Sequence, residues 1–119
     1  KQTKGICAWL FVSDHGEYIS PKVSGHGHTY HPTKEEYHVP LIVWFSDEYK
    51  EKYPEKVTNG LKHKDAPVCA DHVFWSVLDM ANIRIDSTLQ QEGMSIFEEQ
   101  LKYKDRTLLL PDGKTVMNL

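Results

Sequence analysis

Asp14, His15 and Glu17 stand directly after an apolar run, with only Ser13 and Gly16 among them. A carboxylate oxygen and an imidazole nitrogen at one strand end suit Zn²⁺ or Mn²⁺. Adjacent ligands need a turn to converge, and Gly16 permits one. The same residues also read as a strand-end turn in which Asp14 bonds backbone amides. A second set follows in Gly25-His26-Gly27-His28, with His31 close behind. Glycines flanking His26 let the backbone approach a ligand closely. An imidazole there binds a metal or, as a cation, holds a phosphoryl oxygen. The competing reading is a solvated, histidine-bearing loop.

The remaining candidates carry less. His38 precedes an apolar stretch and His63 lies in a Lys-rich segment, so both read as surface residues. His72 falls in the first turn of a helix, where packing or solvation is the expectation. Cys7 reads as a small buried hydrophobe, and spacing leaves a Cys7–Cys69 pairing open. The sequence holds no Gly-rich phosphate loop, no Gly-x-Ser-x-Gly elbow and no Cys-x-x-Cys pair.

The elements that must position these residues follow from patterning. Ile6–Val12 is continuous, apolar and rich in aromatic and β-branched residues, as expected of a strand buried on both faces in a parallel sheet. Open α/β sheets place ligands at the carboxyl ends of such strands. Residues 18–38 have no clear period, and a histidine-rich loop of that length is expected to be functional. Val39–Phe45 predicts a second buried strand, with Pro40 tolerated near its start. Ser46 then predicts an N-cap, and Asp47 and Glu48 favour the first turn of a helix ending near Tyr53, before Pro54. Residues 55–66 read as polar, with a turn at Asn59-Gly60. A helix is predicted over 70–81, with Val73, Val77 and Ala81 on one stripe, Phe74 and Leu78 beside it, and Asn82 at its end. Residues 84–104 read as mixed and polar, with Gly93 breaking any long helix, and Thr107–Met117 reads as a terminal β-hairpin around Pro111-Asp112-Gly113.

The chain has 119 residues, about one domain's worth, with 39% hydrophobic and 26% charged residues. That composition excludes an intrinsically disordered chain. Fourteen Lys and Arg against 17 Asp and Glu leave a net charge of −3, which argues against a nucleic-acid partner. No apolar run approaches the ~20 residues that span a bilayer, and no signal peptide opens the chain. The chain is therefore expected to be soluble. It lacks an initiator methionine and opens with Lys1-Gln2-Thr3-Lys4 just before the first apolar run, which suggests a piece of a longer polypeptide.

The order Ser-Asp-His-Gly-Glu (13–17), His26-Gly27, Val-Pro-Leu-Ile-Val-Trp-Phe-Ser (39–46) and Asp71-His-Val-Phe-Trp-Ser-Val-Leu-Asp-Met-Ala-Asn-Ile83 resembles the carboxyl-terminal part of the catalytic domain of phosphoethanolamine transferases. These belong to the sulfatase and alkaline-phosphatase-like superfamily and modify lipid A and the lipopolysaccharide core. The resemblance is close over about residues 6–83 and loose beyond. It implies the C-terminal portion of a sulfatase-like α/β sandwich, with residues 1–119 as one partial catalytic domain. It implies one or two zinc ions, with Mn²⁺ as the substitute, and Asp14 and His15 as zinc ligands. It assigns His26 to the phosphoryl group or a second zinc, and makes Glu17 a candidate for a second metal or its support, where residue type alone adds His28. His28 and His31 match no family position of known role.

The family's threonine nucleophile and another acidic zinc ligand lie upstream of the matching region, and neither Thr29 nor Thr33 occupies the nucleophile's position. The chain alone is thus expected to be inactive. For the longer protein, the resemblance implies transfer of phosphoethanolamine from phosphatidylethanolamine, through a covalent threonine intermediate, to a lipopolysaccharide glycolipid at the periplasmic face of the inner membrane. Two alternatives stand beside it: a sulfatase or phosphodiesterase of the same superfamily, and a standalone non-catalytic metal-binding module. Apolar surface left exposed by an incomplete sheet would favour self-association of the isolated chain.

Overall fold

The computed structural model describes residues 4–22, 24–27, 33–103, 106–110 and 112–118. Mixed α and β elements follow one another along them. In order, they are β1 (Ala8–Val12), β2 (Tyr18–Ile19), β3 (Ser24–Gly25), α1 (Lys34–Tyr37), β4 (Leu41–Phe45), α2 (Asp47–Lys52), α3 (Pro54–Lys62), α4 (Ala70–Met80), β5 (Thr107–Leu109) and β6 (Val116–Asn118). The chain divides into two compact units: Lys1–Trp9 with Val43–Lys104, and Leu10–Ile42 with Asp105–Leu119.

Both apolar runs form strands, and β1 pairs with β4. The pairing is not the expected parallel one. The Ser46 amide, just past the end of β4, donates to the Cys7 carbonyl just before β1 (2.9 Å). The end of one strand therefore lies beside the start of the other, which requires antiparallel strands. Burial on both faces is also corrected. Exposure alternates along β4 and along β1 as far as Phe11, and Trp9, Phe11, Ile42 and Trp44 are each at least 40% exposed. The period-2 alternation of side chains puts these residues on one face of the pair and the half-buried Ala8, Leu10, Val43 and Phe45 on the other.

In the helical unit, Ser46 caps α2 as expected. Its hydroxyl accepts from the Tyr49 amide (3.1 Å) and from the Cys7 amide (3.1 Å), and donates to the Gly5 carbonyl (2.8 Å). Pro54 does not open a polar loop. It occupies the first turn of α3, where its missing N–H costs no hydrogen bond. The predicted Asn59-Gly60 turn is thus helix. Gly60 is there because the Phe97 ring packs on it, and a Cβ would sit 3.1 Å from that ring.

The core of this unit comes from a segment that patterning left unassigned. Met94, Ile96 and Phe97 are buried, with Tyr49. The Phe97 carbonyl accepts from Asn59 Nδ2 (3.0 Å) and the Ile96 carbonyl from His63 Nδ1 (3.0 Å), both on or beside α3. From α4, Ser76 Oγ accepts the Ile96 amide (3.0 Å). The predicted stripe on α4 is therefore not its inner face: Val77 on the stripe is 40% exposed and Phe74 beside it 58%, while His72 and Ser76 are fully buried. The inner face meets backbone, which demands hydrogen-bonding side chains rather than apolar ones. Asn82, past the end of α4, takes a left-handed backbone (φ 56°), which Asn tolerates. Cys7 and Cys69 are both free thiols.

In the second unit, β5 and β6 form the expected antiparallel hairpin, with Thr107 opposite Asn118 and Leu109 opposite Val116. Asp112 sets its turn by accepting from the Lys114 and Thr115 amides (2.9 and 2.8 Å). The described residues of 18–38 hold the β2–β3 pair and the single turn of α1, elements that the sequence pattern did not predict. Among the described residues, no helix is long and apolar enough to cross a membrane.

Candidate metal centre

The site lies just past β1 and is assembled by the β2–β3 pair. Tyr18 faces Gly25 and Ile19 faces Ser24 in antiparallel register. One step further along that register, Glu17 lies opposite His26. Cross-strand neighbours are close enough for their side chains to interact, and His26 Nδ1 lies 2.8 Å from Glu17 Oε1. The His26 ring stacks on that of His15, with centroids 3.8 Å apart. Residues separated by nine and eleven positions in the chain are thereby brought together.

His15, Glu17 and His26 each offer one ligand atom, and these atoms lie within 4.8 Å of one another. All three residues are exposed. Two imidazoles and a carboxylate are donors that suit zinc, and three protein ligands with an open position are the pattern of catalytic zinc. Donors around a tetrahedral zinc at ~2.0–2.1 Å would lie about 3.3 Å apart. The cluster thus has the donor chemistry of a metal site, with one pair, His26 Nδ1 and Glu17 Oε1, already in direct hydrogen bond.

Asp14 stands beside the cluster rather than inside it. Its Oδ1 accepts from the His15 amide (3.0 Å), and its Oδ2 lies 3.9 Å from His15 Nε2. The His15 amide, and after it the charge of the His15 ring, hold the Asp14 carboxyl below the usual carboxylate range. Asp14 therefore performs the strand-end-turn role with one oxygen while the other stays near His15 Nε2. His28 and His31 lie outside the described residues.

Gly16 acts differently from its predicted part. It has no positive φ. Its amide donates to the Glu36 carbonyl (2.8 Å), and a Cβ on it would lie 2.0 Å from the Glu35 carbonyl oxygen. Glycine is required by the close approach of α1, not by a turn. Behind this contact Glu36 is itself buried (2% exposed) and its carboxylate accepts from the Thr33 amide (2.8 Å). Thr33 and Glu36 form a capping box, a signal present in the sequence as Thr-x-x-Glu but not read there.

His63 and His72 do not join the site. His63 Nδ1 donates to the Ile96 carbonyl. His72 accepts the Cys69 amide at Nδ1 (3.1 Å) and donates from Nε2 to the Lys102 carbonyl (2.9 Å). The packing role expected for His72 is thus the observed one, whereas His63 is buried rather than a surface residue.

The family model for sulfatases matches residues 8–83, from the first residue of β1 through the site, β4 and all three longer helices. The match covers well over half of the chain, and the chain belongs to the sulfatase family. No curated protein and no solved structure matches it.

Proposed function

We propose that this chain contributes the metal-binding strand end of a phosphoethanolamine transferase. In this reading the complete enzyme takes phosphoethanolamine from phosphatidylethanolamine and passes it to a lipopolysaccharide glycolipid at the periplasmic face of the inner membrane. The carrying observation is the convergence of His15, Glu17 and His26 at the end of β1 in a sulfatase-family chain. The Val-Pro-Leu-Ile-Val-Trp strand after the His-Gly pair supports the transferase branch by resemblance.

Asp14 and His15 would hold the zinc, with His26 stacked on His15 as a further donor and Glu17 bonded to His26. Bound there, zinc would supply Lewis acidity at a phosphoryl oxygen and lower the pKa of a hydroxyl nucleophile. The chain's own residues orient the group. Gly16 and α1 hold the loop, the β2–β3 pair carries His26 to His15, and the three cluster residues are exposed, as access by a large lipid substrate would require. The threonine nucleophile of the family has no counterpart in this sequence, so turnover belongs to the longer protein.

The sulfatase family match favours one second reading, hydrolysis of a sulfate or phosphate ester with water as acceptor. A single experiment separates the two. The full-length protein is incubated with zinc, fluorescent phosphatidylethanolamine and a lipid A acceptor. Transfer predicts diacylglycerol release matched by modified lipid A, with His15→Ala lowering the rate more than about 100-fold, beyond the ~10–100-fold of outer-shell changes. Release of free phosphoethanolamine without modified acceptor, or turnover of an aryl sulfate alone, would replace the transferase by a hydrolase.

A further inference from the structure

The two site histidines hold their rings in the same way. His15 Nδ1 lies 2.9 Å from the Gly16 carbonyl oxygen, and His26 Nδ1 lies 2.8 Å from Glu17 Oε1. A carbonyl oxygen and a carboxylate can only accept, so in each ring Nδ1 carries the proton. In a neutral imidazole the lone pair then sits on Nε2, the other ring nitrogen. Among the described residues neither Nε2 makes a hydrogen bond, and that of His15 has Asp14 Oδ2 3.9 Å away.

The acceptors differ in kind. His15 uses backbone that Gly16 and α1 already hold in place. His26 relies on one side chain, and Glu17 reaches it only because the β2–β3 register sets the two opposite each other. Metal-ligating histidines commonly donate their second nitrogen to a carboxylate, which fixes tautomer and ring orientation.

We infer that Glu17 is not itself a metal ligand but the positioning residue of His26, taking its Nδ1–H and presenting Nε2 beside His15 as a metal donor. This rests on the metal-site reading above and deepens it. It divides the His15, Glu17 and His26 cluster into two donors and one orienting carboxylate. It also assigns His26 to metal rather than to a phosphoryl oxygen, which would need an N–H at Nε2.

The test has a readout independent of turnover. Histidine side chains of the metal-free protein, labelled with ¹⁵N, are observed at pH 7.5 by long-range ¹H–¹⁵N correlation. His26 is expected as the Nδ1–H tautomer with an unprotonated Nε2. Glu17→Ala should move it toward the Nε2–H form and leave His15 unchanged as the internal control. An Nε2–H tautomer in the wild type, protons on both nitrogens, or a Glu17→Ala spectrum identical at His26 would each overturn the inference.

Zinc titration adds a second arm. Glu17→Ala should weaken zinc by about 10–100-fold, and should weaken it no further in a His26→Ala background, because Glu17 acts only through His26. Additive losses would make Glu17 a ligand in its own right and overturn the inference while the metal site stands. The expected tautomer in a wild-type protein that binds no zinc would instead overturn the metal site and leave the Glu17–His26 orientation in place.

Discussion

Two pairs of histidines divide this molecule by environment. His63 and His72, in the helical unit, are buried and bond backbone: His63 Nδ1 the distant Ile96 carbonyl, His72 the nearby Cys69 amide and the distant Lys102 carbonyl. His15 and His26, in the other unit, are exposed and stacked, and each uses Nδ1 on a neighbouring oxygen. In the first pair the imidazole is a crosslink that satisfies buried backbone. In the second it is held by one nitrogen with the other presented. The same side chain therefore either satisfies buried backbone or stands exposed as a candidate metal donor, according to its burial.

The largest effect expected from breaking this contrast is on the packed side. Phe97 is buried, packs edge-on against Phe45 at 5.6 Å and covers Gly60. Phe97→Ala should cost about 3–5 kcal/mol and lower Tm by more than about 10 °C. A fall of only a few degrees by circular dichroism would show that segment 93–97 does not hold this unit together.

On the site side, Gly16→Ala would place a methyl 2.0 Å from backbone oxygen of α1, an overlap no side-chain rotation relieves. The loop carrying His15 and Glu17 must then move. Zinc affinity should fall by about 100-fold, equivalent to about 2.7 kcal/mol. Unchanged affinity by calorimetry would separate the α1 contact from the site.

Ser76→Ala tests the buried polar layer. Ser76 Oγ accepts the Ile96 amide and donates to the His72 carbonyl (2.6 Å). Its loss leaves a buried N–H unpaired, and a destabilisation of about 1–3 kcal/mol is expected by urea unfolding. A neutral outcome would mean that water reaches Ile96.

The smallest effect belongs to Tyr49. Its hydroxyl donates to the Met80 carbonyl (2.8 Å), and Tyr49→Phe should cost about 1 kcal/mol. Burial, then the Asp79 carboxylate and Tyr53, push its phenol up to about 12. A raised folded pKa means that this contribution is complete below the unfolded value near ~10 and is lost as pH rises through about 12. The wild type should therefore lose stability over that alkaline window more steeply than Tyr49→Phe. Parallel pH profiles would place the alkaline sensitivity elsewhere.

Much of this was legible along the chain because its signals are local. The two apolar runs, the Ser46 cap, the 70–81 helix and the terminal hairpin all announce themselves within a few residues. The candidate site residues His15, Glu17 and His26 likewise stand out by type and by their place after an apolar strand. A capping hydroxyl, a helical period and a hairpin turn act over one to four residues, and no distant partner is needed to decide them.

Only the tertiary structure decided what depends on long-range partners. Strand direction in β1–β4 rests on Ser46 meeting Cys7, and the core role of Met94–Phe97 rests on α3 and α4 closing over a segment without periodicity. Gly16 answers to the backbone of α1 some twenty residues on, and Glu17 to a histidine reached through a strand register. A residue's type states which bonds it can make. Which groups arrive to make them is settled by chain segments far along the sequence, and that arrival turned two histidines into crosslinks and left two others facing solvent.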